Sequence, residues 1–192
     1  PDDTLSIGSN FIHCLYEDPD GIVWVGTENG LFKYDATSES FSLIKFAANA
    51  PIRDIRMDSE GNLWFIRGFT LSRYNWKKKE LENYDTNKYF ETTSICATPG
   101  GVLWASTTLG LLEKYDPVKN SFTGYDVFCV SEPPVSKWVE RVYATSQGNI
   151  LIGTSNQGPK LFNTHTNTYK DILTYNPNKT KIFVKNFVQT PE

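Results

Sequence analysis

Arg67, Phe69, Tyr89, Trp138 and Arg141 set aromatic faces and planar guanidinium groups into stretches that read as loops. That combination suits a sugar. A ring stacks on the apolar C–H face, and guanidinium N–H groups donate to hydroxyls. The same side chains can also simply cover strand ends. Other chemistries fit less well. Glycoside hydrolysis needs two carboxylates converging on one bond. Glu28, Glu91, Glu132 and Glu140 offer no pair at a telling spacing. His13 and His165 lie far apart, and neither has a ligand-like spacing to Cys14, Cys96 or Cys129. The three thiols contain no CxxC pair and make no even disulfide framework, so they read as structural residues beside apolar neighbours such as Leu15 and Ile95. Asp18 and Asp20 lack the remaining ligands of a calcium loop. Asp18 is expected to brace a turn. No metal or cofactor is expected.

The elements that would position these residues recur. Gly21-Ile22-Val23-Trp24 returns as Gly61-Asn62-Leu63-Trp64, as Gly101-Val102-Leu103-Trp104 and as Gly148-Asn149-Ile150-Leu151. The spacings are 40, 40 and 47 residues, and the last copy has Leu in place of Trp. Upstream of each glycine stands a short apolar stretch: Ile12 to Leu15, Ile52 to Ile55, Thr92 to Ile95 and Val139 to Val142. Each copy reads as four short strands joined by turns rich in Asp, Asn, Gly and Ser, residues that tolerate positive φ or bond their own backbone. Units of about 40 residues with four antiparallel strands are the signature of propeller blades.

The chain is therefore expected to be all-β: four four-stranded antiparallel β-propeller blades plus one extra strand, a partial propeller. One propeller segment spans 1–192. Its blades fall at about 11–46, 52–86, 92–127 and 139–175, and a fifth repeat starts at 182–192. Gly21, Gly61, Gly101 and Gly148 are expected to take left-handed or bulged backbone. Trp24, Trp64 and Trp104 are expected to fill the space between blades.

Composition narrows the function. Aromatic residues make up 14% of the chain, which favours strands. The formal net charge is -3, and no basic cluster exceeds Lys77, Lys78 and Lys79. A nucleic-acid partner is not expected, since such domains are usually basic. No apolar run is long enough to span a membrane. The chain opens at Pro1 without an initiator Met or a signal peptide, as an excised or processed segment would.

The first copy carries the pattern I-x-x-I/L-x-x-D-x-x-G-x-x-W-x-G-T-x-x-G-L-x-x-Y-D at Ile12, Leu15, Asp18, Gly21, Trp24, Gly26, Thr27, Gly30, Leu31, Tyr34 and Asp35. This resembles the two-component regulator propeller repeat. Later copies depart from it at Arg67, Ser106 and Leu151. The resemblance implies the periplasmic sensor region of a Bacteroides-type hybrid two-component system. Such a region lies outside the cytoplasmic membrane, in a membrane-anchored parent whose histidine kinase is elsewhere. It implies an oligosaccharide ligand and a non-catalytic segment. A non-catalytic scaffold for association, including a homodimer through open blade edges, is the first alternative. A carbohydrate-active propeller enzyme is the second.

Topology divides the loops. The turns from first to second strand are short and repetitive. The opposite face holds the varied loops, including 67–69, 87–91 and 127–137. Binding residues tend to lie on such loops, so Arg67, Phe69, Tyr89, Trp138 and Arg141 are the candidate ligand contacts.

Overall fold

A computed structural model describes residues 6–84, 91–128, 136–172, 175–188 and 190. The expected blades are present as four separate four-stranded sheets. Blade one is β1 (Ile12–Glu17), β2 (Val23–Thr27), β3 (Gly30–Asp35) and β4 (Ser40–Ala48). Blade two is β5 (Ile52–Met57), β6 (Leu63–Arg67), β7 (Thr70–Asn75) and β8 (Glu80–Tyr84). Blade three is β9 (Thr92–Ala97), β10 (Leu103–Thr107), β11 (Leu111–Asp116) and β12 (Ser121–Asp126). Blade four is β13 (Val139–Ala144), β14 (Ile150–Thr154), β15 (Pro159–Asn163) and β16 (Thr168–Asp171). Each sheet is an antiparallel meander in chain order. The described residues form no helix.

The chain divides into two compact units. Residues 1–84 hold blades one and two, and residues 85–192 hold blades three and four. In the first unit Trp24, Leu31, Ile52, Ile55, Leu63 and Phe65 form one core. In the second, Trp104, Leu112, Val142, Ile150, Ile152 and Phe162 form another. The second strands are covered on both faces, so β6 and β10 are buried nearly throughout, Ser106 and Thr107 of β10 included. Trp24, Trp64 and Trp104 are all interior, at 3%, 0% and 1% exposure. Burying an indole removes on the order of 200 Å² from water, and at ~25 cal/mol/Å² each contributes several kcal/mol before entropy.

The turn before each second strand has one backbone design. The N–H of its first residue donates to a carbonyl four residues on, and the glycine N–H donates back to the first residue. The pairs are Asp18 with Ile22 (3.0 Å), Asp58 with Asn62 (3.1 Å), Thr98 with Val102 (3.0 Å) and Thr145 with Asn149 (2.8 Å). Gly21, Gly61, Gly101 and Gly148 take φ of 78°, 79°, 75° and 80°. A side chain there would meet its own backbone.

Glycine is needed again inside the second strand, for a different reason. A Cβ on Gly26 would lie 2.6 Å from the carbonyl oxygen of Ile52, at the start of blade two. A Cβ on Gly153 would lie 2.8 Å from the carbonyl oxygen of Val184. Residues 182–184 thus approach blade four as the next blade's first strand approaches blade one. The Gly158 N–H donates to Ile182 O (3.0 Å) and the Val184 N–H to Thr154 O (3.1 Å). Among the described residues the expected fifth-repeat strand forms these bonds but no strand of its own; Tyr175 and Lys181 make an isolated bridge nearby.

Cys96 is buried in the second core, and the Cys14 thiol lies 3.6 Å from Ile52 O, so both have the structural surroundings expected. Cys129 lies outside the described residues.

Candidate functional site

Arg67 and Phe69 share one tight turn between β6 and β7 in the first unit. In three of the four copies a threonine closes this turn. Thr27 Oγ1 donates to Gly30 O (2.9 Å), Thr154 Oγ1 donates to Gly158 O (2.8 Å), and Thr107 Oγ1 accepts from Leu111 N (3.1 Å). Arg67 stands in the threonine's place. Its Nη2 donates instead to Ala48 O at 3.2 Å. The Arg53 guanidinium sits over the Phe69 ring, 4.8 Å from its centre. The turn therefore supplies one cation and one aromatic face, and Arg53 of β5 supplies a second cation. In the neighbouring blade the His13 ring nitrogen is 2.7 Å from the Glu28 carboxylate.

Trp138 and Arg141 belong to the second unit. Trp138 immediately precedes β13, its N–H donating to Ser136 Oγ (3.1 Å) and its carbonyl accepting from the Ser155 N–H (3.2 Å). Arg141 lies within β13, opposite Gly153, and is half-buried. Tyr89 and Glu132 lie outside the described residues. The predicted contacts thus form two pairs, one in each unit. Among the described residues no three His, Cys, Asp or Glu side chains are placed to hold a metal ion.

A second arrangement lies at the opposite end of the blades, among the repetitive turns. A cleft of about 380 Å³ opens between blades three and four. Its walls include Thr98 and Trp104 of blade three, Gln147 of the blade-four turn, and His165 of the β15–β16 turn. Lys114 of β11 also lines it, with its ammonium 5.7 Å from the centre of the Trp104 ring.

Trp104 differs here from its counterparts. The Trp24 indole N–H donates to Asp18 Oδ2 at 2.8 Å, and the Trp64 indole N–H donates to Asp58 Oδ2 at 2.8 Å. Each carboxylate also accepts turn N–H groups, from Asp20 and Ile22 in blade one and from Glu60 and Asn62 in blade two. The braced turn predicted for Asp18 is present, and its second carboxylate oxygen is what serves the tryptophan. Blade three has Thr98 in the aspartate's place. Its hydroxyl is directed to Val102 O at 3.5 Å, and the Trp104 indole N–H has no hydrogen-bond partner among the described residues. Blade four has Thr145 with Leu151 and no indole to serve.

Sequence reading missed this cleft because it placed all binding on the varied loops. The signal was present in one copy: a tryptophan at 104 without an aspartate six residues earlier.

Residues 6–29 match the two-component regulator propeller family. Among solved structures, the chain resembles the extracellular domain of a protein designated a hybrid two component system, BT3049 of B. thetaiotaomicron. The TM-score is 0.70 at 22% identity, covering 90% of this chain and 24% of that one. It also resembles the extracellular domain of BT4673 of the same organism, designated a one component system. There the TM-score is 0.73 at 20% identity, covering 95% of this chain and 24% of that one. Virginiamycin B lyase from Staphylococcus aureus is similar with a TM-score of 0.70 at 13% identity, covering 92% of this chain and 60% of the lyase. These likenesses are of fold. The chain spans about a quarter of the length of the two B. thetaiotaomicron domains. No curated protein matches the sequence.

Proposed function

We propose that the chain is a segment of the sensing region of a two-component regulator. It lies outside the cytoplasmic membrane, binds an oligosaccharide or relays its binding, and does not itself catalyse a reaction. The observation that carries this reading is the match of residues 6–29 to the regulator propeller family, in a pattern that returns through the chain. The likeness to two extracellular domains supports the location. Arg67 with Phe69 and Trp138 with Arg141 are the contacts this reading assigns, joined by Tyr89.

A thermal-shift screen against an oligosaccharide panel, with each sugar then checked for cleavage, tests the proposal. A saturable rise in melting temperature with intact sugar supports it, because a ligand of the folded state stabilises that state. R67A and W138A should each reduce the rise. Cleavage would replace the non-catalytic reading by that of an enzyme.

One observation favours the scaffold reading as well. Phe11, Ile12 and Leu15 on and beside β1 are 72%, 53% and 66% exposed, and apolar groups so close together suit association. A mass that rises with concentration, and falls back in an L15S variant, would support that second reading.

A further inference from the structure

We propose that the cleft between blades three and four binds the carboxylate group of a small acidic ligand, with the Trp104 indole N–H and the Lys114 ammonium as its donors. The proposal stands apart from the sensing role and from the loop residues assigned to it.

The argument rests on what the same positions do in blade two. There the buried indole N–H of Trp64 meets the Asp58 carboxylate at 2.8 Å. The residue facing Trp64 on the next strand is Arg73, whose guanidinium lies 5.4 Å from the Trp64 ring and is paired with Glu82. Both donors around that tryptophan are thus matched by carboxylates from the chain. In blade three, Lys114 faces Trp104 at the same register. Across β11 and β12 it faces Thr123, where Arg73 faces Glu82. Thr98 replaces the aspartate. Both internal carboxylates are replaced by threonine, while the tryptophan and the cation remain.

Among the described residues neither donor has another acceptor. The Trp104 side chain is 1% exposed, and its N–H is without a hydrogen-bond partner. Leaving such a group unpaired is costly. Lys114 makes no ion pair among the described residues. The cleft that both of them line contains no Asp or Glu, and its other ionisable residue is His165. A threonine hydroxyl ends one bond short of an aspartate oxygen, and that of Thr98 is directed to Val102 O, so position 98 supplies the Trp104 indole with no acceptor of the kind Asp58 gives Trp64. The volume, about 380 Å³, falls within the range of small-molecule sites. Paired with a cation and an N–H donor, a carboxylate would make the charge-assisted contacts that Asp58 and Glu82 make in blade two.

The test follows the five tryptophan indole N–H resonances of the ¹⁵N-labelled chain, with that of Trp104 identified by its loss in W104F. Sodium glucuronate, sodium acetate and glucose are titrated separately at constant ionic strength. A saturable movement of the Trp104 resonance with glucuronate, and none with glucose, is expected. Movement with acetate as well assigns recognition to the carboxylate alone; glucuronate without acetate assigns part of it to the sugar ring. K114Q should weaken glucuronate binding about tenfold, the scale of one charge-assisted contact. T98D should move the Trp104 resonance without ligand and abolish the response, by supplying the carboxylate internally. If T98D does not fold, K114Q decides. An unmoved Trp104 resonance with both carboxylates, an equal response to glucose, or full affinity in K114Q would overturn the proposal.

Discussion

Blades two and three share a turn backbone, a tryptophan at one register and a cation facing it, but differ in what surrounds them. Asp58 accepts from Trp64, from two backbone N–H groups and from the Asn62 side chain. Thr98 forms the same backbone turn with none of these side-chain bonds to the indole. The turn therefore does not require the aspartate. Positive φ at the glycine and two backbone hydrogen bonds build it. The aspartate's added role is to satisfy an indole N–H that the packing has removed from water. Blade four reaches the same end differently: Leu151 has no side-chain N–H, and Thr145 Oγ1 accepts the Asn149 N–H at 3.2 Å.

The largest expected effect comes from removing the carboxylate where it is used. D58A leaves the buried Trp64 N–H and two turn N–H groups without their charged acceptor, and should cost about 3 kcal/mol. T98A loses no bond to the indole, only the long contact of its hydroxyl to Val102 O, and should cost about 0.5 kcal/mol. Denaturant melts with unchanged slopes would measure both. Equal losses would mean that the side chain serves the turn and not the tryptophan.

The tryptophans can be tested directly. W64F removes a charge-assisted bond and leaves Asp58 short of a donor; W104F removes an N–H that has no acceptor. After the shared loss of ring area, W64F should be about 2 kcal/mol more destabilising than W104F. Combining W64F with D58A should cost less than the sum of the two, since they remove one interaction.

Importing the aspartate is a smaller and opposite change. T98D should stabilise the chain by about 1 kcal/mol, or roughly 3 °C in melting temperature. A loss of stability would mean that the indole N–H of Trp104 cannot be reached from position 98.

The blades were legible in the sequence because their causes are local. Glycine at a positive-φ turn, a run of apolar residues in a strand flanked on both faces, and a period near 40 residues all appear in linear order. Burial at the first strands was not legible. Leu15 and Ile55 occupy equivalent positions, yet Leu15 is 66% exposed and Ile55 is fully buried. What covers the position belongs to another part of the chain. Candidate contacts followed the same rule. Arg67 and Phe69 share a turn because they are two residues apart. The cleft depends on Lys114, Thr98 and His165, whose meeting is decided by strand register and blade packing. Even so, its oddity could be read from one missing aspartate.

The remaining contrast is between the two cations, and it predicts the smallest effect. Tyr84 donates to Glu82 Oε2 at 2.7 Å, and Arg73 Nε donates to the same oxygen at 3.0 Å. The hydrogen bond from Tyr84 foremost, and then the Arg73 contact, hold the Glu82 carboxyl below its ordinary range against the opposing effect of burial. A carboxyl depressed in the folded state binds fewer protons folded than unfolded. Its stabilisation is fully present above the unfolded value of about 4.3 and is lost as pH falls through the lower folded value. Glu82 is one-third exposed, so solvent screening keeps the effect well under 1 kcal/mol. E82Q should therefore flatten part of the stability loss below pH 4, while K114Q, whose lysine faces a threonine, should leave that acid limb unchanged. A parallel change in K114Q would show that Lys114 already has a carboxylate partner, and would remove the distinction between blades two and three on which the cleft's chemistry depends.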